Sequence, residues 1–402
     1  MLEVPTTSYQ ETERTAKVAV STVRGIFERI TRMERDGLRV IHLEIGEPDF
    51  DTAAHIKAAA AQALEAGEVH YTSNQGIYPL RVAIARKLEA DNGLRYDPDT
   101  ELIVTVGCSE AIHLAMTSLL SAGDEVLIPE PSWPNYRNVC HLVGATPVAV
   151  PLRESRHFEV DPADVASRVT PRTRLLVLVS PQNPTGAVIS RPTLEALAEI
   201  ARQNDLLVIS DEIYEKLIYD GRQHVSIASL PGMAERTVTI NGFSKAYSMT
   251  GWRLGYLAAP AEIVRPMVKI REYMTSCVTS FAQFGAIAAL EGDQAPIRAM
   301  AAEFARRRSL VVEELGRIPG VTCAAPGGAF YAFPNVSSFG RDAAVVAAHV
   351  LETANVALVP GDAFGAAGAG YLRLCYANSY ENLTEALGRI RESLGQLDRA
   401  KR

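Results

Sequence analysis

Lysine is scarce in this chain, seven residues against 33 arginines, and one of the seven stands where an amine can do chemistry. Lys245 follows the β-branched run Val238-Thr239-Ile240, which reads as a buried strand that breaks at Asn241-Gly242. An amine just past such a strand, between Phe243 and Tyr247, is desolvated, and desolvation lowers its pKa and makes it nucleophilic. Ser244 precedes it and Arg253 follows it. The ordinary alternative is a solvated loop lysine, so the company Lys245 keeps must decide.

Four other apolar strands end on residues with chemistry of their own. After "LIVTV" come Gly107, Cys108, Ser109 and Glu110 at the start of a helix, an anion site or a simple N-cap. After "EVLIPEP" come Ser132 and Trp133, a ring to stack on a planar ligand or filler for a core. After "LLVLVS" comes the Asn183-Pro184-Thr185-Gly186 turn, whose asparagine amide could also donate to a ligand oxygen. After "LLVIS" comes Asp211, with Tyr214 one turn further. An aspartate there is costly unless paired; a cationic ring nitrogen would keep it ionised, and a helix N-cap would also satisfy it. One ligand asks for all of these groups. Pyridoxal 5′-phosphate needs a lysine for its aldehyde, an acid for its pyridinium, donors for its phenolic oxygen, and amides with an arginine for its phosphate.

The elements that carry these residues alternate. Strands read at 102–107, 125–130, 146–152, 174–180, 206–211, 236–244 and 255–260, with amphipathic helices between most of them. Strands continuous in Leu, Val and Ile argue for an α/β domain with a mainly parallel sheet between helices, and such sheets collect ligands at the carboxyl ends of their strands. Earlier, Val23, Ile26, Phe27, Ile30 and Met33 make a helical stripe, and a helix with Pro79 near its start stops at Gly93. Long helical regions are expected from about Ala261 to Leu290 and from Ile297 to Leu315. The last hundred residues mix strands and helices and read as a smaller α+β domain. We expect residues 1–50 (an N-terminal arm and part of the small domain), 51–292 (large domain) and 293–402 (small domain), the first and last packing together.

At 402 residues, 47% hydrophobic and 22% charged, the chain has the composition of a soluble globular protein. A net charge of −7 without a basic block argues against nucleic acid. Five dispersed cysteines without a CxxC pair suggest reduced thiols in a cytoplasmic protein. No signal peptide, membrane-length apolar run or metal-ligand spacing is seen, so neither membrane nor metal is expected. "GAAGAG" from Gly365 has the wrong spacing for a dinucleotide loop and is followed by a strand-like run.

"SPQNPTGAV", "SDEIYEKLIYDG" and "INGFSKAYSMTGWRLGY" resemble the class I/II aminotransferases of fold type I, in their aspartate/aromatic branch, and the likeness runs over nearly the whole chain. The resemblance implies a seven-stranded large domain and a pyridoxal-phosphate enzyme that moves an amino group from an L-amino acid to a 2-oxo acid in two half-reactions. It implies that Lys245 binds the cofactor aldehyde and shuttles the proton from Cα to C4′. Asp211 would pair the pyridine nitrogen, Asn183 and Tyr214 the phenolic oxygen, and Trp133 the ring. Cys108, Ser109, Ser244 and Arg253 would hold the phosphate, with Tyr71 reaching across from the other subunit of a homodimer. Gly46, Trp133, Asn183 and Arg373 would receive the substrate, Arg373 forking onto its α-carboxylate. Aspartate-specialised members carry a lysine where this chain has Ser109, so strict dicarboxylate specificity is not expected. Lys17, in the arm that closes over the site in relatives, either replaces that charge or is merely solvated. The nearest alternative on the same fold is a β-eliminating C–S lyase. A non-catalytic regulator is a further alternative, disfavoured by the full set of catalytic side chains.

Overall fold

Alternate residues of the run Thr173–Val179 enter two different cores: Leu175, Val177 and Val179 face one, Leu176 and Leu178 the other. A strand buried on both faces has no polar side to show, which is why its sequence is an unbroken apolar stretch. The computed structural model describes residues 10–19 and 22–399.

In chain order, helices α1 (Glu13–Ala16) and α2 (Thr22–Arg35) precede strand β1 (Ile41–His42). Helices α3 (Ala54–Glu65) and α4 (Tyr78–Asn92) follow, and α4 ends at Gly93, which takes the left-handed φ of 67° that favours glycine. The alternating region comprises β2 (Leu102–Thr105), α5 (Gly107–Leu119), β3 (Glu125–Glu130), α6 (Asn135–Val143), β4 (Thr146–Pro151), α7 (Pro162–Ala166), β5 (Thr173–Val179), α8 (Arg191–Gln203), β6 (Leu207–Asp211), β7 (Thr237–Gly242) and β8 (Gly255–Ala258). The remainder is α9 (Ala261–Arg271), α10 (Ser280–Glu291), α11 (Ala295–Gly316), β9 (Tyr331–Ala332), α12 (Ala343–Ala354), β10 (Val356–Ala357), β11 (Val359–Pro360), β12 (Leu372–Cys375) and α13 (Tyr380–Arg399).

Strands β2 to β8 form one sheet in the order β2-β8-β7-β6-β5-β3-β4, parallel except for β8, which runs against both its neighbours. The carboxyl ends of β2, β3, β5, β6 and β7 therefore share one edge. Helices α5, α6 and α9 cover one face and α7 and α8 the other, as the two apolar cores record. A separate core gathers α11, α12, α13, β9 and β12 around Phe304, Phe330 and Tyr376. The segment after β1 belongs to it: β1 pairs in parallel with β10, and Cys375 N–H donates to the Leu43 carbonyl at 2.8 Å. In α2, Ile30 is buried against Val40, Leu351 and Ala357, with Ile26 and Met33 beside it. The side chains of Val23 and Phe27, expected in the same stripe, lie outside the described residues. Among the described residues no helix is long and apolar enough to cross a membrane.

One expectation fails. The helical region from Ala261 to Leu290 is two helices, broken between Arg271 and Ser280. Arg271 is fully buried and donates to Glu110 Oε1 (3.3 Å) and to the Asn74 carbonyl, Thr275 also donates to Glu110, and Ser276 takes a φ of 56°. An inward-facing ion pair with a residue of α5 turns the chain where local propensity would continue it.

Candidate active site

Three glycines bring the backbones of β2, β7 and β8 together at the shared sheet edge. A Cβ on Gly255 would lie 2.7 Å from the Gly107 carbonyl carbon, and one on Gly242 would lie 2.9 Å from the Gly255 Cα. Gly107 itself has φ +71°, and a Cβ there would meet Arg253 Nη2 at 2.7 Å. The Arg253 guanidinium thus lies over the first residue of α5, with its Nη1 on the Thr250 carbonyl (3.0 Å). Cys108 and Ser109 follow in the first turn, both half-buried. Burial, and then the negative charge of Asp211, push the Cys108 thiol well above its usual range, so this cysteine offers its backbone N–H rather than a thiolate. Open N–H groups at the start of a 13-residue helix, under an arginine, suit a phosphate.

Asp211 ends β6 and is 2% exposed. Its Oδ2 accepts from Tyr136 Oη at 2.7 Å and its Oδ1 from Ile213 N–H at 3.2 Å. Burial pushes its carboxyl up to about 6 against these two hydrogen bonds. No regular helix begins here among the described elements, so Asp211 is not a helix N-cap. The turn it opens is two-sided. Glu212 and Glu215 point to the opposite face, where Glu212 Oε1 accepts from Ser210 (2.9 Å) and Ser226 (2.6 Å), and Glu215 is bound by Lys87 and by Asn92 (2.8 Å). Burial opposes it, but Lys87 and His224 hold Glu215 down to about 2. Glu212, Glu215 and His224 are the metal-ligating types that cluster among the described residues, and Glu215 Oε1 already has the Lys87 ammonium as its cationic partner.

Lys245 lies in the turn after β7, its Nζ donating to the Gly46 carbonyl at 2.6 Å. Burial lowers its ammonium to about 8, and the nearby Arg373 cation acts in the same direction. The amine stands 6.0 Å from the Tyr214 ring centroid and 5.8 Å from that of Phe330. Tyr214 Oη is 2.9 Å from Tyr331 Oη. Arg373, on β12, is 5% exposed; it donates to Asn183 Oδ1 at 3.2 Å and to the Glu44 carbonyl, while its Nε is buried without a partner. Its guanidinium lies 4.8 Å from the Tyr331 ring centroid and 4.9 Å from that of Phe364. Because Arg373 engages the oxygen of Asn183, the amide nitrogen is the end that can donate to a ligand.

Most of the residues singled out in the sequence converge. Cys108 feels the charges of Asp211, Lys245 and Arg253, Lys245 that of Arg373, and Tyr214 those of Arg373 and Asp211. Ser244, half-buried, adjoins Lys245, and Trp133 packs edge-on against Tyr136 with centroids 5.8 Å apart. Two residues stay apart. Tyr71, between α3 and α4, is 92% exposed, and Lys17 sits on the surface paired with Glu13 at 2.8 Å. Tyr136 and Tyr331, which touch Asp211 and Tyr214, are members of the candidate site that the sequence does not single out. Tyr136 lies in α6, where its hydroxyl donates to Asp211. No local spacing marks either; the one usable signal is that a buried tyrosine must find a hydrogen-bond partner.

Residues 39–390 match the model of the family described as aminotransferase class I and II. The chain belongs to that family. It is 42% identical over 384 residues to an aromatic-amino-acid aminotransferase 2 of Thermococcus litoralis (95% of this chain, 97% of that one). It is 43% identical over 384 residues to an aspartate aminotransferase of Pyrococcus abyssi, with the same coverage of each. Among solved structures, an aromatic aminotransferase from Pyrococcus horikoshii superimposes with a TM-score of 0.88 at 44% identity, covering 91% of this chain and 99% of that one. The chain is therefore a fold type I aminotransferase, an enzyme of the pyridoxal-phosphate-dependent kind, and nothing in the site or in these relatives favours the C–S lyase alternative. The site fits that cofactor: a glycine-lined helix start under Arg253, a buried acid, and a desolvated amine.

Proposed function

We propose that Lys245 carries the reaction, as the amine that would bind the cofactor and as the base and acid that would carry the proton removed from the substrate Cα. The observation that supports this reading best is the placement of Lys245, half-buried after β7, with its amine held by the Gly46 carbonyl and desolvated beside Arg373. Pyridoxal 5′-phosphate, when bound, supplies an aldehyde that condenses with amines and an electron-poor ring that draws electrons from Cα. Asp211, steadied by Tyr136, keeps the ring nitrogen protonated. Tyr214 and Asn183 would donate to the phenolic oxygen, and Trp133 would supply a ring to stack on that of the cofactor. Backbone N–H groups at Cys108 and Ser109, with Ser244 and Arg253, hold the phosphate. Arg373, Gly46 and Asn183 receive the α-carboxylate and hold Cα within reach of Lys245, a gain in effective concentration rather than in bond strength. The buried rings of Tyr214, Phe330 and Tyr331 keep water from this step.

Substrate choice follows from what faces the distal end. Ser109 is neutral and Lys17 is engaged by Glu13, so we favour a donor range that is not confined to dicarboxylates. The relatives named for aromatic amino acids and for aspartate support that breadth. We also favour a cytoplasmic homodimer in which Tyr71 completes the partner's site. The 92% exposure of Tyr71 and the five free cysteines agree with it. The division at residues 50 and 292 is likewise our proposal, supported by the pairing of β1 with β10. The test is a screen of the twenty amino acids against 2-oxoglutarate and pyruvate, run with wild type and Lys245→Ala. Turnover of aromatic donors at rates comparable to aspartate, lost in the variant, is expected. Full half-reaction rates in Lys245→Ala, or activity with aspartate alone, would overturn the reading.

A further inference from the structure

Tyr331, on β9, is a phenol that meets three candidate groups at once. It is 1% exposed. Its hydroxyl is 2.9 Å from that of Tyr214, its ring lies 4.8 Å from the Arg373 guanidinium, and a Cβ on Gly46 would come within 2.2 Å of its oxygen. The antiparallel pairing of β12 with β9 sets this up: Cys375 lies opposite Tyr331 and Leu374 opposite Ala332, which leaves Arg373 just beyond the paired stretch and over the ring.

Two hydroxyls at hydrogen-bond distance share one proton between them, so only one of them donates. If Tyr214 gives its proton to the cofactor's phenolic oxygen, the proton between the two must come from Tyr331. A phenylalanine at 331 would leave Tyr214 free to turn and would weaken it as a donor, because linked hydrogen bonds strengthen one another. The ring has a separate task. Arg373 is fixed by Asn183 and by the Glu44 carbonyl but has an unpartnered Nε, and the face of Tyr331 (with Phe364 opposite) defines the plane in which its guanidinium lies.

We propose that Tyr331 is a positioning residue for amino transfer, its hydroxyl fixing Tyr214 as a donor and its ring orienting Arg373. The proposal rests on the roles given above to Tyr214 and Arg373. It predicts that the two functions separate. Tyr331→Phe keeps the ring, so KM for the best amino donor stays within about twofold. The pH midpoint of the visible band of the cofactor-loaded protein rises by about 0.3–0.7 unit, since a less well-donated phenolic oxygen holds a neighbouring proton more tightly. Tyr331→Leu loses both functions, moving the midpoint likewise and raising KM by about 2- to 30-fold, the range of a cation–π contact.

The experiment is a spectrophotometric pH titration of wild type and both variants loaded with pyridoxal 5′-phosphate, with kcat and KM for the same donor. An unmoved midpoint in Tyr331→Phe overturns the hydroxyl's role, and because that change preserves ring and volume it does not depend on the leucine variant folding. An unmoved KM in a folded Tyr331→Leu overturns the ring's role. A wild-type protein that gains no visible band would instead overturn the assignment of Lys245, on which this one stands.

Discussion

Lys245 and Arg373 come from different parts of the fold and are held by the same tripeptide: Lys245 donates to the carbonyl of Gly46 and Arg373 to that of Glu44. The amine and the arginine therefore flank one short stretch of backbone after β1. In the function proposed above, a substrate whose carboxylate is on Arg373 would have its Cα brought toward the amine. Positioning here depends on an extended segment held by β1–β10 pairing and by Cys375 N–H, rather than on either side chain alone.

That relationship makes Gly46 a position where one methyl group matters. Its Cβ would fall 2.2 Å from Tyr331 Oη, so Gly46→Ala must displace Tyr331 or the tripeptide. Overpacking of this kind costs about 1–3 kcal/mol of stability, while a shift near 1 Å between reacting groups costs about 100-fold in rate. Steady-state kinetics should show the rate loss in a protein whose circular dichroism matches wild type; kinetics equal to wild type would contradict the tight approach.

The desolvated amine of Lys245 sets a pH dependence. With burial lowering Lys245 to about 8, the cofactor-free protein carries a reactive neutral amine at a pH where a solvated lysine is almost wholly charged. The rate at which cofactor-free protein takes up pyridoxal 5′-phosphate should rise with pH with a midpoint near 8, not near 10. Between these two values the folded chain binds fewer protons than the unfolded one. The stability cost of burying this amine is therefore present in full below pH 8 and fades as pH rises toward 10.

Asp211 works in the other direction. Its carboxyl titrates at about 6 in the folded chain and near 4 in the unfolded one, so between those values the folded chain binds more protons and stability falls as pH rises. Above pH 6 the whole cost of the buried charge is felt, on the order of 2–3 kcal/mol without cofactor. Calorimetry of cofactor-free Asp211→Asn should give a higher melting temperature than wild type at pH 8, with the gain shrinking toward pH 5. Its turnover should fall by about 100-fold or more, as expected when an electrostatic partner of the reacting ring is lost. A variant less stable than wild type at pH 8 would contradict this account of Asp211.

The seven strands and most of the residues of the candidate site were legible in the sequence for one physical reason. In a parallel sheet buried on both faces, strands are apolar runs, and the residues that end them share one edge whatever their separation along the chain. Asp211, Asn183 and Lys245 could be read in that way. Arg373 and Gly46 lie outside that sheet and were reached only through family resemblance. Tyr331 was not reached at all, because its contact with Tyr214 spans 117 residues and leaves no local pattern. The break after Arg271 was hidden for the same reason, since it depends on Glu110, 161 residues away. Strand ends are written locally; the closure of a site by a second body of the fold is not.

The assignment of Lys245 is tested most directly by borohydride reduction of the protein loaded with pyridoxal 5′-phosphate, followed by proteolysis and mass spectrometry. Reduction fixes the cofactor on whichever of the seven lysines holds it. The predicted result is one modified peptide, with the pyridoxyl group on Lys245 and none on Lys87 or Lys216. A cofactor fixed to any other lysine, or a protein that takes up no label, would contradict the account.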